Sequence, residues 1–224
     1  MKLYSGDLSP YSARVRLQIY AKGLDNKIPL ERPATFGTAK FREDHPIGRI
    51  PVLDIDGDMM PESEVIAEYI EEIFPEPTML GANPRETASI RTLARIGDIY
   101  IMNNMFLLGG QTRKSTRNEA VRDLLAGQVI RGIKALEHFI GTDGFAYGKR
   151  ITMADCALVP GLFLVENTLP ATDVENPIPS CPKVAAYWAA IKKNEIAARV
   201  LTELHRGLEE RREAIRNGTF GRRD

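Results

Sequence analysis

The first residues that could do chemistry form the segment Ser9-Pro10-Tyr11-Ser12, which joins a short strand pattern to a helical pattern. A strand-to-helix turn exposes polar side chains beside the free N–H groups at the start of the helix, and these groups favour a nearby anion such as a thiolate. Serine is also a preferred helix cap. Taken alone, the segment leaves two roles open for Ser9 and Ser12: donation to an anion, or capping of the helix.

A second candidate segment, His45-Pro46-Ile47-Gly48-Arg49-Ile50-Pro51-Val52-Leu53, runs from a turn into a strand through an Ile-Pro bond. Proline cannot donate a hydrogen bond to a strand ladder, so its place at a strand start needs a reason. A cis bond before Pro51 would turn the N–H and C=O groups of Ile50 toward an extended ligand backbone. The alternative is an edge proline without a ligand.

A third segment, Pro61-Glu62-Ser63-Glu64, opens a helix and carries polar groups suited to a zwitterion. The Ser63 hydroxyl and the free N–H groups of a helix start suit a carboxylate, while Glu62 can meet an ammonium group. Together they match the charged end of an amino acid. The alternative is a helix-capping Ser63 beside a surface glutamate.

A fourth segment, Thr152-Met153-Ala154-Asp155, precedes an apolar run and has the spacing of a capping box. Such a box satisfies N–H groups at the start of a buried helix, and loss of a cap costs about 1 kcal/mol. We assign this segment a structural role.

The elements that must position the first three segments lie within residues 1 to about 75. Lys2–Ser5 has a strand pattern, and a helix follows Pro10 and stops near Gly23. The next strand pattern, Lys27–Glu31, contains Pro29, so it is expected at an edge of its sheet. The residues predicted to face inward from the helix are Ala13, Leu17, Tyr20, Ala21 and Leu24.

A hairpin and a second helix complete this region. Ile50–Ile55 and Met59-Met60 flank Asp56-Gly57, a dipeptide that favours a tight antiparallel turn with positive φ. The helix is predicted from about Ser63 to Phe74. Its predicted inward residues are Val65, Ile66, Tyr69, Ile70 and Ile73.

Beyond Phe74 the pattern changes to a connector rich in Pro and Gly, and then to helical runs alone. We predict a first domain at residues 1–77, a linker at 78–85 and an all-helical domain at 86–224. The charged end from Arg211 is predicted to fray. The predicted helices lie at about 86–108, 118–140, 153–165, 183–193 and 195–215.

The composition excludes several classes of protein. Of 224 residues, 43% are hydrophobic and 27% charged, which excludes intrinsic disorder. Thirty basic and thirty acidic residues balance, so a dedicated nucleic-acid binder is not expected. Two cysteines and three scattered histidines predict neither a disulfide framework nor a metal site. Without a signal peptide or an apolar stretch long enough for a membrane, a cytoplasmic protein is expected.

The four segments, in this order, resemble those of the cytosolic glutathione S-transferase family in its serine-type, bacterial-like form. Ser9–Ser12 looks like the Cys-Pro-Tyr-Cys motif of glutaredoxins with serine in place of both cysteines. Residues 45–53 are similar to the family's Asn-Pro-x-Gly-Lys-Val-Pro-x-Leu segment, in which the proline is cis, and residues 61–70 resemble the segment that holds the γ-glutamyl end of glutathione. The resemblance covers nearly the whole chain. It implies a thioredoxin-like α/β domain of order β-α-β-α-β-β-α, followed by an all-α domain.

The resemblance also implies roles for single residues. Ser9 would donate a hydrogen bond to the sulfur of glutathione, the co-substrate, with Tyr4 and Ser12 as rival donors. Glu64 stands where many members carry Arg or Gln, and its charge is expected to weaken carboxylate binding slightly. The glutathione-binding residues that the resemblance implies are Ser9, Tyr11, Lys40, Arg49, Ile50, Pro51, Glu62 and Ser63.

The main hypothesis is a detoxifying transferase that conjugates glutathione to small hydrophobic electrophiles. Its electrophile pocket is expected between the domains, with Tyr100, Met105 and Phe106 as candidates, although such residues at helical spacing also suit a core. The resemblance implies a homodimer without metal, nucleic acid or membrane. One alternative is a glutathione-dependent cis–trans isomerase, whose Ser-Ser-Cys signature is absent because Ser9 is followed by Pro10-Tyr11. Another is a non-catalytic interaction module on the same fold.

Overall fold

The N-terminal part of the chain forms a mixed sheet of four strands, in a computed structural model that describes residues 1–219. The strands stand in the order β2-β1-β3-β4, where β1 is Lys2–Tyr4, β2 is Leu30–Glu31, β3 is Val52–Ile55 and β4 is Asp58–Pro61. β1 pairs with β2 in parallel and with β3 antiparallel, and β3 pairs antiparallel with β4. β2 is therefore at an edge, as Pro29 predicted, although it is shorter than expected.

The hairpin predicted from Asp56-Gly57 is confirmed. Ile55 pairs with Asp58, so the turn consists of Asp56 and Gly57 alone. Their φ values are 54° and 99°. The N–H of Gly57 donates to Asp54 Oδ1 at 2.8 Å. Positive φ at both positions matches the twist of the flanking strands, which explains the Asp-Gly pair.

Helix α1 (Pro10–Ala21) ends where the sequence predicted. Gly23 has φ of 63°, and the N–H of Leu24 donates to Ile19 O at 2.9 Å, as in a Schellman motif. Of the predicted inward residues, Ala21 is partly exposed. The helix is buried well beyond the single apolar face that the sequence predicted. Four polar residues are buried along it: Ser12, Arg14, Arg16 and Gln18.

A short helix, α2 (Ala39–Asp44), lies between β2 and β3. Thr38 caps it, because its side chain accepts the N–H of Phe41 at 3.2 Å. The Phe41 ring is buried and lies 4.5 Å from the ring of His45, centre to centre. The observed order of elements up to the third helix is β-α-β-α-β-β-α, which confirms the thioredoxin-like fold.

Helix α3 (Ser63–Ile73) agrees with the predicted bounds to within one residue, but it buries a different face. Ile66 and Ile70 are fully buried, as predicted. Val65 is 53% exposed and Ile73 is 37% exposed, so the prediction that these two residues face inward is wrong.

A buried ion pair explains this difference. Glu71 of α3 is 5% exposed and lies 2.7 Å from Lys22 Nζ. The same ammonium donates to the carbonyls of Phe74 at 2.7 Å and Pro77 at 2.8 Å. Lys22 thereby holds the end of α3, and the buried stripe of the helix shifts toward Glu71.

The remainder of the described chain is helical. A π-helical segment of seven residues, Ile96–Met102, joins α4 to α5, so the run predicted at 86–108 has an irregular centre. Asn104 Nδ2 donates to the carbonyls of Ile99 at 2.9 Å and Tyr100 at 3.0 Å, which satisfies carbonyls in the wider turn. The helices are α4 (Pro84–Arg95), α5 (Asn103–Leu108), α6 (Glu119–Phe139), α7 (Met153–Asn167), α8 (Pro182–Ile191) and α9 (Glu195–Arg216).

Helix α7 is buried from Met153 through Val165, and the predicted capping box at its start is confirmed. The Asp155 carboxylate accepts the Thr152 N–H at 2.8 Å and the Thr152 hydroxyl at 3.0 Å. It also accepts the Ala146 N–H at 2.9 Å and the Tyr187 hydroxyl at 3.1 Å. Burial raises the pKa of Asp155, although these four donors oppose the shift.

The chain forms two compact units. The first contains Met1–Pro77 together with the part of α9 from Arg199 onward, and the second contains Thr78–Ala198. The sequence pattern assigned this last helix wholly to the all-helical domain. Helix α9 continues to Arg216, through much of the stretch predicted to fray, and residues 220–224 of that stretch lie outside the described residues. Among residues 1–219, the structure contains no helix with the length and apolar character of a membrane span.

Candidate functional site

Ser9 is the N-cap of α1, where the first predicted segment meets the second. Its Oγ accepts the N–H of Ser12 at 3.1 Å and donates to Ile50 O at 3.4 Å. The second hydrogen bond is long and therefore weak. The Ser9 proton can turn to another acceptor at little cost, and a thiolate at the start of α1 would be such an acceptor.

The two rival donors have different surroundings. Ser12 is 0% exposed, and its Oγ has no hydrogen-bond partner within the described residues. The Tyr4 ring lies beside Lys2, whose Nζ is 5.0 Å from the ring centre, and its centre is 6.2 Å from that of His45. Ser9 is partly exposed, and its hydroxyl is hydrogen-bonded to Ile50 of the His45–Leu53 segment.

That segment has the geometry that the sequence predicted. The bond between Ile50 and Pro51 is cis, Pro51 is buried, and Ile50 is partly exposed. Gly6 lies directly against it, because a Cβ added at Gly6 would be 2.9 Å from Ile50 Cδ1. The first two segments therefore form one continuous surface.

The third segment differs from the predicted helix cap. Glu62, not Ser63, is the N-cap of α3, and its side chain makes no capping hydrogen bond. Glu62 is exposed and has φ of 71°, a conformation that costs a non-glycine residue free energy and often marks a functional site. The first N–H groups of α3 lack intrahelical acceptors and can receive a carboxylate.

Arg14 is a member of this site to which sequence analysis assigned no role. It is 2% exposed, and its Nη1 donates to Ser63 Oγ at 3.1 Å and lies 2.8 Å from Glu64 Oε2. Glu64 is thus paired with a buried guanidinium, which offsets the negative charge that was expected to weaken carboxylate binding. The available signal was the row of charged and polar residues inside an otherwise apolar helix.

The other predicted ligand residues lie on α1, on α2 and in the loop before Ile50. Tyr11 is partly exposed in the first turn of α1, and Arg49 is exposed immediately before Ile50. Lys40 is exposed on α2 and lies 2.6 Å from Asp44 Oδ1. An exposed pair of this kind is worth little, so Lys40 can exchange its partner for another carboxylate.

The three electrophile-pocket candidates have unlike environments in the second unit. Met105 is 4% exposed, Phe106 is 45% exposed, and Tyr100 is partly exposed in the π-helical segment. Tyr100 lines a groove of about 850 Å³ together with one face of α4. The residues that line this groove include Tyr100 and neither Met105 nor Phe106, and the electrophile pocket stays a prediction. Across residues 1–219, no His, Cys, Asp or Glu side chains are grouped as metal ligands.

Comparison with known proteins identifies both halves of the chain. Residues 3–78 match the model of the glutathione S-transferase N-terminal domain, and residues 119–190 match that of the C-terminal domain. Maleylacetoacetate isomerase from Pseudomonas aeruginosa is 32% identical over 200 residues, which cover 86% of this chain and 94% of that protein. A stringent starvation protein A homolog from Coxiella burnetii is 28% identical over 94% of this chain and 95% of its own.

Solved structures agree. A holo structure of a zeta-class maleyl pyruvate isomerase, described as a bacterial glutathione S-transferase, has a TM-score of 0.72 and 25% identity over 89% of this chain and 96% of that one. A glutathione transferase family member from Pseudomonas fluorescens Pf-5, with bound glutathione, has a TM-score of 0.77 and 20% identity, covering 89% and 97% of the two chains. This chain therefore belongs to the glutathione S-transferase family.

Proposed function

We propose that this protein is a glutathione-dependent cis–trans isomerase that acts on a small unsaturated acid of the maleyl type. The observation that carries the proposal is the placement of Ser9 at the start of α1, in contact with Ile50 beside the cis-proline segment. The relatives named as maleylacetoacetate and maleyl pyruvate isomerases support the choice of reaction.

The residues of the first unit fit the tripeptide in three places. The uncapped start of α3 and the buried Arg14 suit the α-carboxylate of a γ-glutamyl group, and exposed Glu62 suits its ammonium. The Ile50 backbone would pair with the cysteinyl backbone. Lys40 or Arg49 would reach the glycyl carboxylate.

Bound glutathione supplies a sulfur that can add reversibly to one carbon of the double bond, so that the remaining single bond rotates before the sulfur leaves. Ser9 would hold that sulfur as a thiolate by donating its hydroxyl proton. A free thiol has a pKa of about 8.5, and each unit of lowering reflects about 1.4 kcal/mol of thiolate stabilisation. One aimed donor and the N-terminus of α1 can supply this amount.

Conjugation to a hydrophobic electrophile is the second candidate. The observation that favours it is the sequence Ser9-Pro10-Tyr11, which stands where isomerases of this family are expected to carry Ser-Ser-Cys. Both reactions need the same thiolate and differ in whether the sulfur leaves the product. A non-catalytic interaction module on the same fold is a third outcome of the test, because a fold does not dictate an activity. We further propose that the protein is a homodimer and is cytoplasmic, as the family resemblance implies. Light scattering would test the dimer by measuring the molar mass in solution.

The first experiment is calorimetric titration of glutathione into the wild type, Ser9→Ala and Tyr4→Phe, with the thiolate absorbance of the bound ligand followed against pH. We expect the wild type and Tyr4→Phe to lower the thiol pKa, and Ser9→Ala to bind without lowering it. A lowered pKa that Tyr4→Phe alone abolishes would move the role to Tyr4. If the wild type does not bind glutathione, both enzymatic proposals fail and the non-catalytic interaction module is the remaining candidate.

Assays of the same samples separate the reactions. A cis-maleyl substrate converted to its trans isomer without loss of glutathione supports isomerisation. Consumption of glutathione with a chloroarene, and no isomerisation, supports conjugation.

A further inference from the structure

The loop between β1 and α1 is held by a single buried guanidinium. Arg16 of α1 is 1% exposed. Its Nη1 donates to Ser5 Oγ at 2.9 Å and to Gly6 O at 2.8 Å, and its Nη2 donates to Asp7 O at 2.9 Å. Because a guanidinium is planar and rigid, three acceptors on consecutive residues fix the path of the loop.

The Gly6 carbonyl connects this guanidinium to Ser9. It accepts from Arg16 Nη1 and also from the N–H of Ser9 at 3.1 Å. Gly6 also packs against the end of the Ile50 side chain, where an added Cβ would be 2.9 Å from Cδ1. Arg16 therefore fixes the backbone that carries Ser9 relative to the residue that Ser9 contacts.

Helix α9 completes the arrangement from the far end of the sequence. Glu203 Oε2 accepts from Arg16 Nε at 2.7 Å, and Arg206 Nε donates to Asp7 Oδ2 at 2.6 Å. Gly207 lies against the loop so closely that an added Cβ would be 2.6 Å from the backbone N of Leu8. These contacts all lie within the first unit.

We infer that Arg16 is a positioning residue for Ser9, and that α9, through Glu203 and Gly207, helps to orient the Ser9 hydroxyl toward the glutathione sulfur. This inference rests on the proposed function. The role is geometric, because Arg16 is paired with the Glu203 carboxylate at 2.7 Å and acts on Ser9 through the loop backbone that it binds. A hydrogen bond weakens steeply with misalignment, so a small shift of the loop is enough to lose thiolate stabilisation.

Two variants of the full chain test the inference without altering formal charge. Arg16→Lys keeps the positive charge but loses the planar group that spans the loop. Gly207→Ala adds one methyl group against Leu8. Arg212→Lys is the matched control for the first, since Arg212 of α9 is 48% exposed and pairs with Glu209 at 2.6 Å. Gly127→Ala on α6 is the control for the second, because an added Cβ there meets nothing within 4 Å.

The readouts are the dissociation constant of glutathione, the pKa of the bound thiol from thiolate absorbance, and urea unfolding. We expect both test variants to bind glutathione within about threefold of the wild type, a change below about 0.7 kcal/mol. Their bound thiol pKa should rise by about one unit toward the free value of about 8.5. Both controls should match the wild type in the dissociation constant of glutathione and in the bound thiol pKa, whereas Gly127→Ala should raise the free energy of unfolding by about 0.5–1 kcal/mol because alanine favours a helix interior.

The inference is overturned if the test variants fold, bind glutathione and keep the wild-type thiol pKa, or if the controls raise that pKa equally. If Arg16→Lys does not fold, the bound thiol pKa measured in Gly207→Ala decides whether the inference holds. A wild type that binds no glutathione, or leaves its thiol pKa unchanged, overturns the proposed function and this inference with it. A lowered wild-type pKa that no variant moves overturns the positioning role alone.

Discussion

Ser9 performs two hydrogen-bonding tasks with one hydroxyl. Its oxygen accepts the N–H of Ser12 and so caps α1, and its proton points to Ile50 O. Capping needs only the oxygen, whereas binding of a thiolate needs the proton. A side chain that keeps the acceptor and lacks the proton separates the two tasks.

We predict that Ser9→Asp keeps α1 stable and destabilises a bound thiolate. Asp caps a helix about as well as Ser, so the free energy of unfolding should stay within about 0.5 kcal/mol, while Ser9→Ala should lose about 1 kcal/mol. The carboxylate beside the sulfur should raise the bound thiol pKa above about 8.5. Urea unfolding and thiolate absorbance measure both effects. A wild-type thiol pKa in Ser9→Asp would contradict a role for Ser9 at the sulfur.

The pair formed by Arg14 and Glu64 carries a second prediction. Glu64→Gln removes the carboxylate that lies 2.8 Å from the Arg14 guanidinium, which is 2% exposed, and a ligand carboxylate at the start of α3 can take that place. We predict that the variant has a lower free energy of unfolding. We also predict that it binds glutathione about threefold to tenfold more tightly than the wild type at low ionic strength, and that this gain is smaller at high ionic strength. Calorimetry at two salt concentrations measures this, with Glu72→Gln on the exposed side of α3 as control. Weaker binding would contradict it.

At the residue scale, the sequence is most informative where a side chain acts through its nearest neighbours. The cis proline, the polar groups that start α3 and the capping box each occupy a few consecutive positions, so a local pattern predicts them. Arg14 and Arg16 have partners 49 and 187 residues away. No spacing within α1 identifies those partners, which explains why no role was predicted for either arginine.

At the scale of an element, the start of α7 shows how burial and hydrogen bonding oppose each other. Asp155 is 0% exposed and accepts four hydrogen bonds. Burial raises its pKa above the ordinary value of 3.8, so between the two values the folded state holds more protons than the unfolded state. Stability from this group is therefore complete below the ordinary pKa and declines as the pH rises to the folded value.

We predict that Asp155→Asn removes this pH dependence. The free energy of unfolding of the wild type minus that of the variant should be largest below about pH 4 and decrease as the pH rises. Urea unfolding of both proteins at a series of pH values from acid to neutral measures the difference. An increase with pH would contradict a raised pKa.

The bounds of most helices and strands were predictable because turns and caps depend on a few consecutive residues. The buried faces were less so. A hydrophobic pattern places Ile73 inside and Glu71 outside, and the buried Lys22 reverses that order. Likewise, a helical period does not reveal the π-helical segment Ile96–Met102, since one extra residue per turn changes the period only locally.

At the scale of the whole molecule, α9 joins the end of the chain to its beginning. The Glu203 side chain is 14% exposed and accepts from Arg16 Nε at 2.7 Å and from the Tyr20 hydroxyl at 2.7 Å. We predict that Glu203→Ala lowers the stability of the first unit by about 3–5 kcal/mol, because it leaves a buried guanidinium unpaired.

Two signals distinguish loss of the first unit from loss of the second. Circular dichroism reports all helices, whereas fluorescence reports Trp188, the sole tryptophan, in the second unit. We expect the circular dichroism of Glu203→Ala to change at lower urea, with fluorescence following later. A decrease below about 1 kcal/mol would show that the pair adds little net stability.

The sequence predicted a thioredoxin-like fold followed by an all-helical one, but it did not predict the unit to which the end of α9 belongs. Turn residues and changes of pattern are local, so the sequence predicts a domain boundary near Pro77, and the first compact unit includes Met1–Pro77. The amphipathic pattern of α9 shows that one face is buried and does not show against what. The assignment of the residues after Arg199 depends on contacts with α1 and its preceding loop, which no local pattern contains.

The end of α3 has a consequence for the order in which the first unit is assembled. A local cap forms together with its helix, but Lys22 donates to Phe74 O from 52 positions earlier in the chain. The last turn of α3 is therefore complete only after α1 has docked. The Phe74 amide, which donates to Ile70 O at 3.0 Å, should exchange its hydrogen with solvent through cooperative opening of the unit, not through the fraying usual at a helix end.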